Sequence, residues 1–184
     1  MRVSDSNKIF TVEEYIQHEL RSQVRSEFIN GQLFEMAGEK DINNEIAGNL
    51  YILFSALLKS LGYFTYNHDV KVKIFGDNKY YYPDVFITKE PKTENNKYIK
   101  SEPLLIVEVV SETTQVNDYV DKYIDYTKIP SLRYYIIVEP ETTLITVYKR
   151  GENAEWITSK YTRQEDMIQL DALDISIKVK EVYL

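Results

Sequence analysis

Apolar positions alternate with polar ones in some stretches of the chain and recur every three or four residues in others. The two periods predict its elements. In FTVEE, Thr11 can cap a helix and Glu14, three residues on, completes a capping box, so a helix is expected to run to about Leu20. SEFINGQLFEMA follows as two alternating runs joined by Asn30-Gly31. That pair predicts a hairpin, because a type I′ turn needs positive φ at both central positions. INNEIAGNLYILFSALLKSLG is the clearest helix: Ile46, Leu50, Leu53, Leu57 and Leu61 recur at helical spacing, and Gly62 can end it.

Three strand-like runs come next. YFTYNHDVKVKIF alternates, with Val70, Val72 and Ile74 on one side and Lys71 and Lys73 on the other. YYYPDVFI is the second run and carries Asp84 in its middle. LLIVEVV is the third, a continuous apolar run of the kind found in a central strand covered on both faces, and it carries Glu108. A polar connection, residues 89–102, separates the last two and is long enough to be expected to move. TTQVNDYVDKYIDYTKI reads as a helix with Val116, Tyr119, Val120, Tyr123 and Ile124 on its apolar face and Pro130 helping to stop it. LRYYIIVEP is a fourth strand, LITVYKRGENAEWITSKY a hairpin turning near Gly151, and ISIKVKEVYL fits either a strand or a short helix.

The expected fold is therefore α/β (α+β, with a mixed sheet): a core of helix, three strands, helix and strand, preceded by an N-terminal helix and hairpin and followed by a C-terminal hairpin. The strand–helix–strand crossover near the end should make one parallel pair. No repeat, low-complexity stretch or linker interrupts the chain, so residues 1–184 are expected to form a single domain.

Composition narrows the chemistry. An apolar fraction of 43% and an aromatic fraction of 13% supply a full core rather than a disordered chain. The 16 tyrosines suit half-buried strands and contact surfaces. Without cysteine there are no disulfides and no thiolate metal sites, and with only His18 and His68 there is no zinc site built on several histidines. Any metal would need oxygen ligands, which suits magnesium, manganese or calcium. The net charge of −7 argues against a tight, non-specific DNA binder but leaves room for a local basic patch or an acidic metal site. Lys71, Lys73, Lys89, Lys92, Lys97 and Lys100 are candidate nucleic-acid backbone contacts, although most lysines simply keep a surface solvated. YILFSALL is too short to span a bilayer and the polar start lacks a signal-peptide core, so a soluble cytoplasmic protein is expected.

Asp84 and Glu108 are the residues that apolar runs do not explain. Two carboxylates on neighbouring inner strands repel, and one tends to keep its proton unless a cation sits between them. A divalent ion would compensate the charge and accept the oxygens as ligands. The plainer alternatives are that each acid sits at a strand end facing solvent or pairs with a lysine. Lys122, three residues after Tyr119 and about 60° round the helix, could carry its amine from the edge of the apolar face to such a site. Its alternative is a surface pairing with Asp118 at i−4.

PDV at residues 83–85 and EVVS at residues 108–111 resemble the PD-(D/E)XK nuclease superfamily, the restriction-endonuclease-like fold, whose core is helix, three strands, helix, strand. More closely, the chain resembles the Uma-two family, a bacterial group of endonuclease-like proteins described by a domain of unknown function. The resemblance runs through FTVEEY, RSEFINGQLFEMAG, YYPDVFI, LLIVEVVSETT and DYVDKYIDYTKIPSLRYYIIVEP. It implies that Asp84 and Glu108 are metal ligands, joined by the backbone carbonyl of Val109, and that the ion is Mg2+ or Mn2+. The lysine place of the motif is Val110 here, and Lys122 falls where the family's lysine has migrated to the next helix. Glu27 matches a family glutamate in the N-terminal hairpin and is either an additional acid at the site or a partner of Arg25 or a nearby lysine. Asn43 stands where the family often has histidine, and Ser111 can cap the next helix. The implied activity is metal-dependent endonucleolytic hydrolysis of DNA phosphodiester bonds, with Asp84, Glu108, Lys122 and Glu27 as the catalytic set. The rival expectation is a catalytically inactive nuclease-fold module for binding or assembly, with a protein partner or homodimer surface, motivated by the acidic charge and the tyrosines.

Overall fold

The computed structural model describes residues 2–3, 8–36, 38, 40–94, 97–110 and 116–184, with the side chains of residues 2, 3 and 116–118 left aside. A short strand β1 (Arg2–Val3) precedes helix α1 (Val12–Glu19). Thr11 caps α1 and Glu14 closes the capping box, as the sequence predicts. The hairpin β2 (Ser26–Ile29) and β3 (Gln32–Glu35) turns on Asn30 and Gly31, with φ of 51° and 93°.

Helix α2 (Asp41–Leu58) follows, tightened at its end into a 3-10 turn (Lys59–Leu61) and stopped by left-handed Gly62. Its buried stripe is Ile46, Ala47, Leu50, Phe54 and Leu58, while Leu57 and Leu61 are exposed. The helix meets the sheet along the side carrying Phe54 and Leu58, so the expected stripe is right at its start and wrong at its end. Truncating a fully buried phenylalanine such as Phe54 costs about 3–5 kcal/mol.

The next strands part from the expectation. YFTYNHDVKVKIF is two strands, β4 (Phe64–Asn67) and β5 (Lys71–Lys73), broken where His68 takes a positive φ of 39°. YYYPDVFI is also two, β6 (Lys79–Tyr81) and β7 (Val85–Thr88). Pro83 has no N–H to give a ladder, and the chain passes there from one sheet to another. Asp84 is therefore at the head of β7 and not in the middle of a strand. The polar connection also contains structure: β8 (Ile99–Lys100) pairs parallel with β5.

Strand β9 (Pro103–Val109), helix α3 (Val116–Thr127) and strand β10 (Tyr134–Glu139) form the crossover, and β9 and β10 pair in parallel as expected. The hairpin β11 (Leu144–Arg150) and β12 (Trp156–Tyr161) extends the same sheet. Then come β13 (Met167–Leu170), β14 (Ile175–Lys178) and a last helical turn α4 (Val179–Val182), so the ambiguous tail is both strand and helix.

Two six-stranded sheets result, in the orders β1-β3-β2-β6-β5-β8 and β12-β11-β10-β9-β7-β4. The second is mixed and central, as the expected α/β core requires. One of its faces packs Val85, Ile87, Leu105 and Val107 against α2. The other carries Phe86, Ile106 and Tyr135, packed with Tyr126, Ile129 and Leu132 at the end of α3 and with Val72 and Tyr81 of the first sheet. Side chains alternate across a strand, so Glu108 falls on the α3 side with Ile106.

Helix α3 keeps part of its expected inner face: Tyr119 and Tyr123 are partly buried, and Tyr123 packs with Tyr135, Tyr148 and Trp156. Val120 and Ile124 are exposed, while Lys122, Asp125 and Tyr126 are buried. The inward face is mixed: Tyr126 packs in the core with Phe86, Ile106 and Tyr135, while Lys122 and Asp125 meet charged and hydroxyl groups. Val116 lies outside the described side chains.

Candidate active site

Strands β7 and β9 run antiparallel with Val85 opposite Val107. Continuing that register by one residue sets Asp84 across from Glu108. Asp84 is 3% exposed and Glu108 5%, so neither acid escapes to solvent. Burial of two carboxylates side by side costs several kcal/mol in effective desolvation unless donors or cations meet them. Asp84 Oδ2 accepts a hydrogen bond from the Val109 N–H at 2.6 Å, and His68 Nδ1 lies 3.5 Å from its Oδ1. The Tyr126 hydroxyl donates to Glu108 Oε1 at 2.7 Å.

Lys122 joins Glu108 to a third acid. Its Nζ lies 3.4 Å from Glu108 Oε1 and 3.2 Å from Glu27 Oε1. Glu27, on β2, also accepts from the Tyr82 N–H at 3.4 Å. The expected set of Asp84, Glu108, Lys122 and Glu27 is thus gathered from β2, the head of β7, β9 and α3. Glu27 pairs with the lysine rather than with Arg25, whose guanidinium meets Asp69 at 2.6 Å. Asp118, the alternative partner of Lys122, lies outside the described side chains.

Three members of this site were not legible in the sequence: Tyr126, the Tyr82 backbone and His68. Tyr126 stands four residues after Lys122, one helical turn on, which was the available signal. Its hydroxyl is held far above the ordinary tyrosine pKa, first by burial and then by the charge of Glu108, so it stays a proton donor to that carboxylate.

The donor set fits a hard divalent cation, since carboxylate oxygens are what such ions prefer. Among the described residues no group of three or more histidine, aspartate or glutamate side chains stands ready to hold a metal. Among the described residues the site offers the carboxylates of Asp84 and Glu108 and backbone oxygen, while Glu27 meets the lysine.

The Uma2 family model, described as "Putative restriction endonuclease", matches residues 12–180. This chain belongs to the Uma2 family. Two relatives from Synechocystis sp. are similar over most of their length: uncharacterized protein slr1290, 29% identical over 93% of this chain and 90% of its own, and uncharacterized protein sll1609, 29% identical over 95% and 100%. The crystal structure of a "putative nuclease belonging to DUF820" from Anabaena variabilis superposes with a TM-score of 0.76 at 14% identity, covering 95% of this chain and 97% of that one. That likeness shows that the two chains share a fold.

Several Uma2 positions noted in the sequence can now be located. Val110, at the lysine place of the superfamily motif, is a buried apolar side chain whose N–H bonds Val138 in the neighbouring strand. Asn43 is buried in the first turn of α2. Ser111 lies outside the described residues. The candidate backbone-contact lysines divide: Lys71 and Lys100 are buried, whereas Lys73 and Lys97 are exposed. No helix among the described residues is long and apolar enough to cross a membrane.

Proposed function

We propose that this Uma2-family chain is a divalent-metal-dependent endonuclease that hydrolyses DNA phosphodiester bonds, working as a single domain over residues 1–184. The observation that supports the reading best is the convergence of Asp84 and Glu108, both buried, with a lysine supplied by the next helix. Asp84, Glu108 and the Val109 carbonyl would hold Mg2+ or Mn2+. When bound, such an ion polarises a phosphoryl oxygen and lowers the pKa of a coordinated water.

The chain's own residues do the rest. The Val109 N–H fixes the rotamer of Asp84, and Tyr126 fixes that of Glu108. Glu27 and Glu108 hold the Lys122 ammonium between them, where it orients the attacking water and offsets charge developing on the phosphate. Burial of the centre strengthens each of these interactions.

The test is cleavage of plasmid and of single-stranded DNA with magnesium or manganese. Wild type is expected to cut, and Asp84→Ala and Glu108→Ala are expected not to. Equal cutting by all three would remove these residues from the mechanism. Calorimetric titration with manganese separates this reading from a non-catalytic binding module, because tight binding that vanishes in Asp84→Ala has no place in the latter.

A further inference from the structure

Two lysines outside the centre are buried to a similar degree, and they differ in one respect. Lys100 is 1% exposed and donates from Nζ to the Pro91 carbonyl at 3.3 Å. Lys71 is 6% exposed, yet no oxygen among the described residues accepts a hydrogen bond from its ammonium. The nearest carboxylate, Glu19, is 3.9 Å away. Both Glu19 oxygens are already engaged, Oε1 by the Ser26 N–H at 3.1 Å and Oε2 by the Tyr82 hydroxyl at 2.5 Å. The Lys71 Nζ instead lies 4.9 Å from the centroid of the Tyr82 ring. A buried ammonium has three donors to satisfy, and leaving them unmet is costly.

Those donors line a cleft of about 450 Å³ between α1 and the first sheet, bordered also by Arg25, Asp69, Tyr82 and Tyr98. Arg25 is half-exposed and meets Asp69, which leaves further guanidinium donors at the rim. Tyr98 is 46% exposed and offers a flat aromatic face on the same cleft.

We infer that this cleft is a phosphate subsite, in which Lys71, aided by Arg25, takes a phosphate of the nucleic-acid strand next to the one being cut. The inference rests on the nuclease reading of Asp84 and Glu108. Tyr82 links the two places: its ring lies under Lys71, its N–H bonds Glu27 of the centre, and Asp84 follows two residues later. Two extended residues span about 7 Å, comparable with the step between neighbouring phosphates on a strand. Tyr98 supplies a surface on which the attached base can stack. On a chain of net charge −7, a locally placed cation of this kind decides where an anionic strand can lie.

The experiment measures binding of a short fluorescent single-stranded oligonucleotide by anisotropy, in EDTA, across a salt series. Lys71→Met is expected to weaken binding several-fold and to lower the slope of log K against log salt by about 0.7, one phosphate contact on a single strand. Lys71→Arg is expected to keep the slope, and Arg25→Gln to lower it by a smaller step. Arg25→Gln changes a half-exposed side chain, so it carries the test if Lys71→Met does not fold. Manganese titration of the same variants should match wild type. Unchanged affinity and slope in Lys71→Met and Arg25→Gln, with manganese binding and cleavage intact, overturns the subsite and leaves the nuclease reading standing. A lowered slope in a protein that neither binds manganese nor cuts keeps Lys71 as a phosphate contact but overturns the catalytic reading and, with it, the place beside the cut. Absence of oligonucleotide binding by wild type at low salt overturns the subsite.

Discussion

Helix α3 presents two buried ionic clusters from one face, a single turn apart, and they are built on opposite principles. Around Asp125, one carboxylate collects several donors: Lys79 Nζ at 2.7 Å, the Tyr81 hydroxyl at 2.6 Å and Lys128 Nζ at 2.9 Å. Around Lys122 the arrangement differs: one ammonium lies between the carboxylates of Glu27 and Glu108, at 3.2 and 3.4 Å. The first cluster is electrostatically complete and pins α3 to β6. The second is rich in negative charge in a place where like charges repel most strongly. The contrast on one helix is between a carboxylate met by several donors and a lysine held between two glutamates.

The largest expected effect is on the complete cluster. Asp125→Ala leaves Lys79 and the Tyr81 hydroxyl without their carboxylate, while Lys128 keeps Asp77 at 2.6 Å, and should cost about 3 kcal/mol of stability in urea denaturation. Retained stability would dissolve the contrast. Next comes Glu108→Gln, which keeps shape and removes one of the crowded charges. It should leave the urea midpoint unchanged or raised, while the initial rate of DNA cleavage falls at least about a hundredfold. A melted Glu108→Gln protein would mean that this cluster, too, is chiefly structural.

Tyr126→Phe tests the link between the clusters, because it removes only the hydroxyl that orients Glu108. Manganese affinity measured by calorimetry should drop about tenfold, with the fold preserved. A pH series sharpens the comparison further. Asp125 has its pKa lowered from 3.8: burial pushes it upward, but the hydrogen bonds from Lys79, Tyr81 and Lys128 outweigh that push. A depressed carboxylate contributes its full stabilisation above its unfolded pKa and loses it as pH falls through the folded one. Wild type should therefore lose stability below about pH 4, and Asp125→Asn should lose less over the same window. The smallest change is Thr11→Ala, distant from both clusters, which should cost about 1 kcal/mol through the lost cap and leave manganese binding untouched.

Much of the fold was legible because the signals were local. The Thr11–Glu14 capping box, the Asn30-Gly31 turn and the apolar run of β9 each depend on residues a few positions apart. Asp84, Glu108, Lys122 and Glu27 could be named as candidates, and they do converge. The misreadings have a common cause. YYYPDVFI looked like one strand since alternation does not record which sheet a residue joins, and only packing reveals that Pro83 marks the passage. On helix α3 the expected face holds for Tyr119 and Tyr123 but not for Val120 and Ile124, which are exposed, while the charged Lys122 and Asp125 are buried. A hydrophobic stripe misplaces the inner face where buried charged groups find partners on other elements.

By itself, then, the sequence determined the local elements, the order of the core and the identity of the acids that apolar runs could not explain. Tertiary structure alone decided that Asp84 ends a crossover opposite Glu108, that Lys122 points inward to Glu27 and Glu108, and that Lys71 is sunk beside a cleft. The reason is physical. Turn and cap preferences act over a few residues and are written in composition, whereas the cost of a buried charge depends on which distant groups the fold brings to meet it.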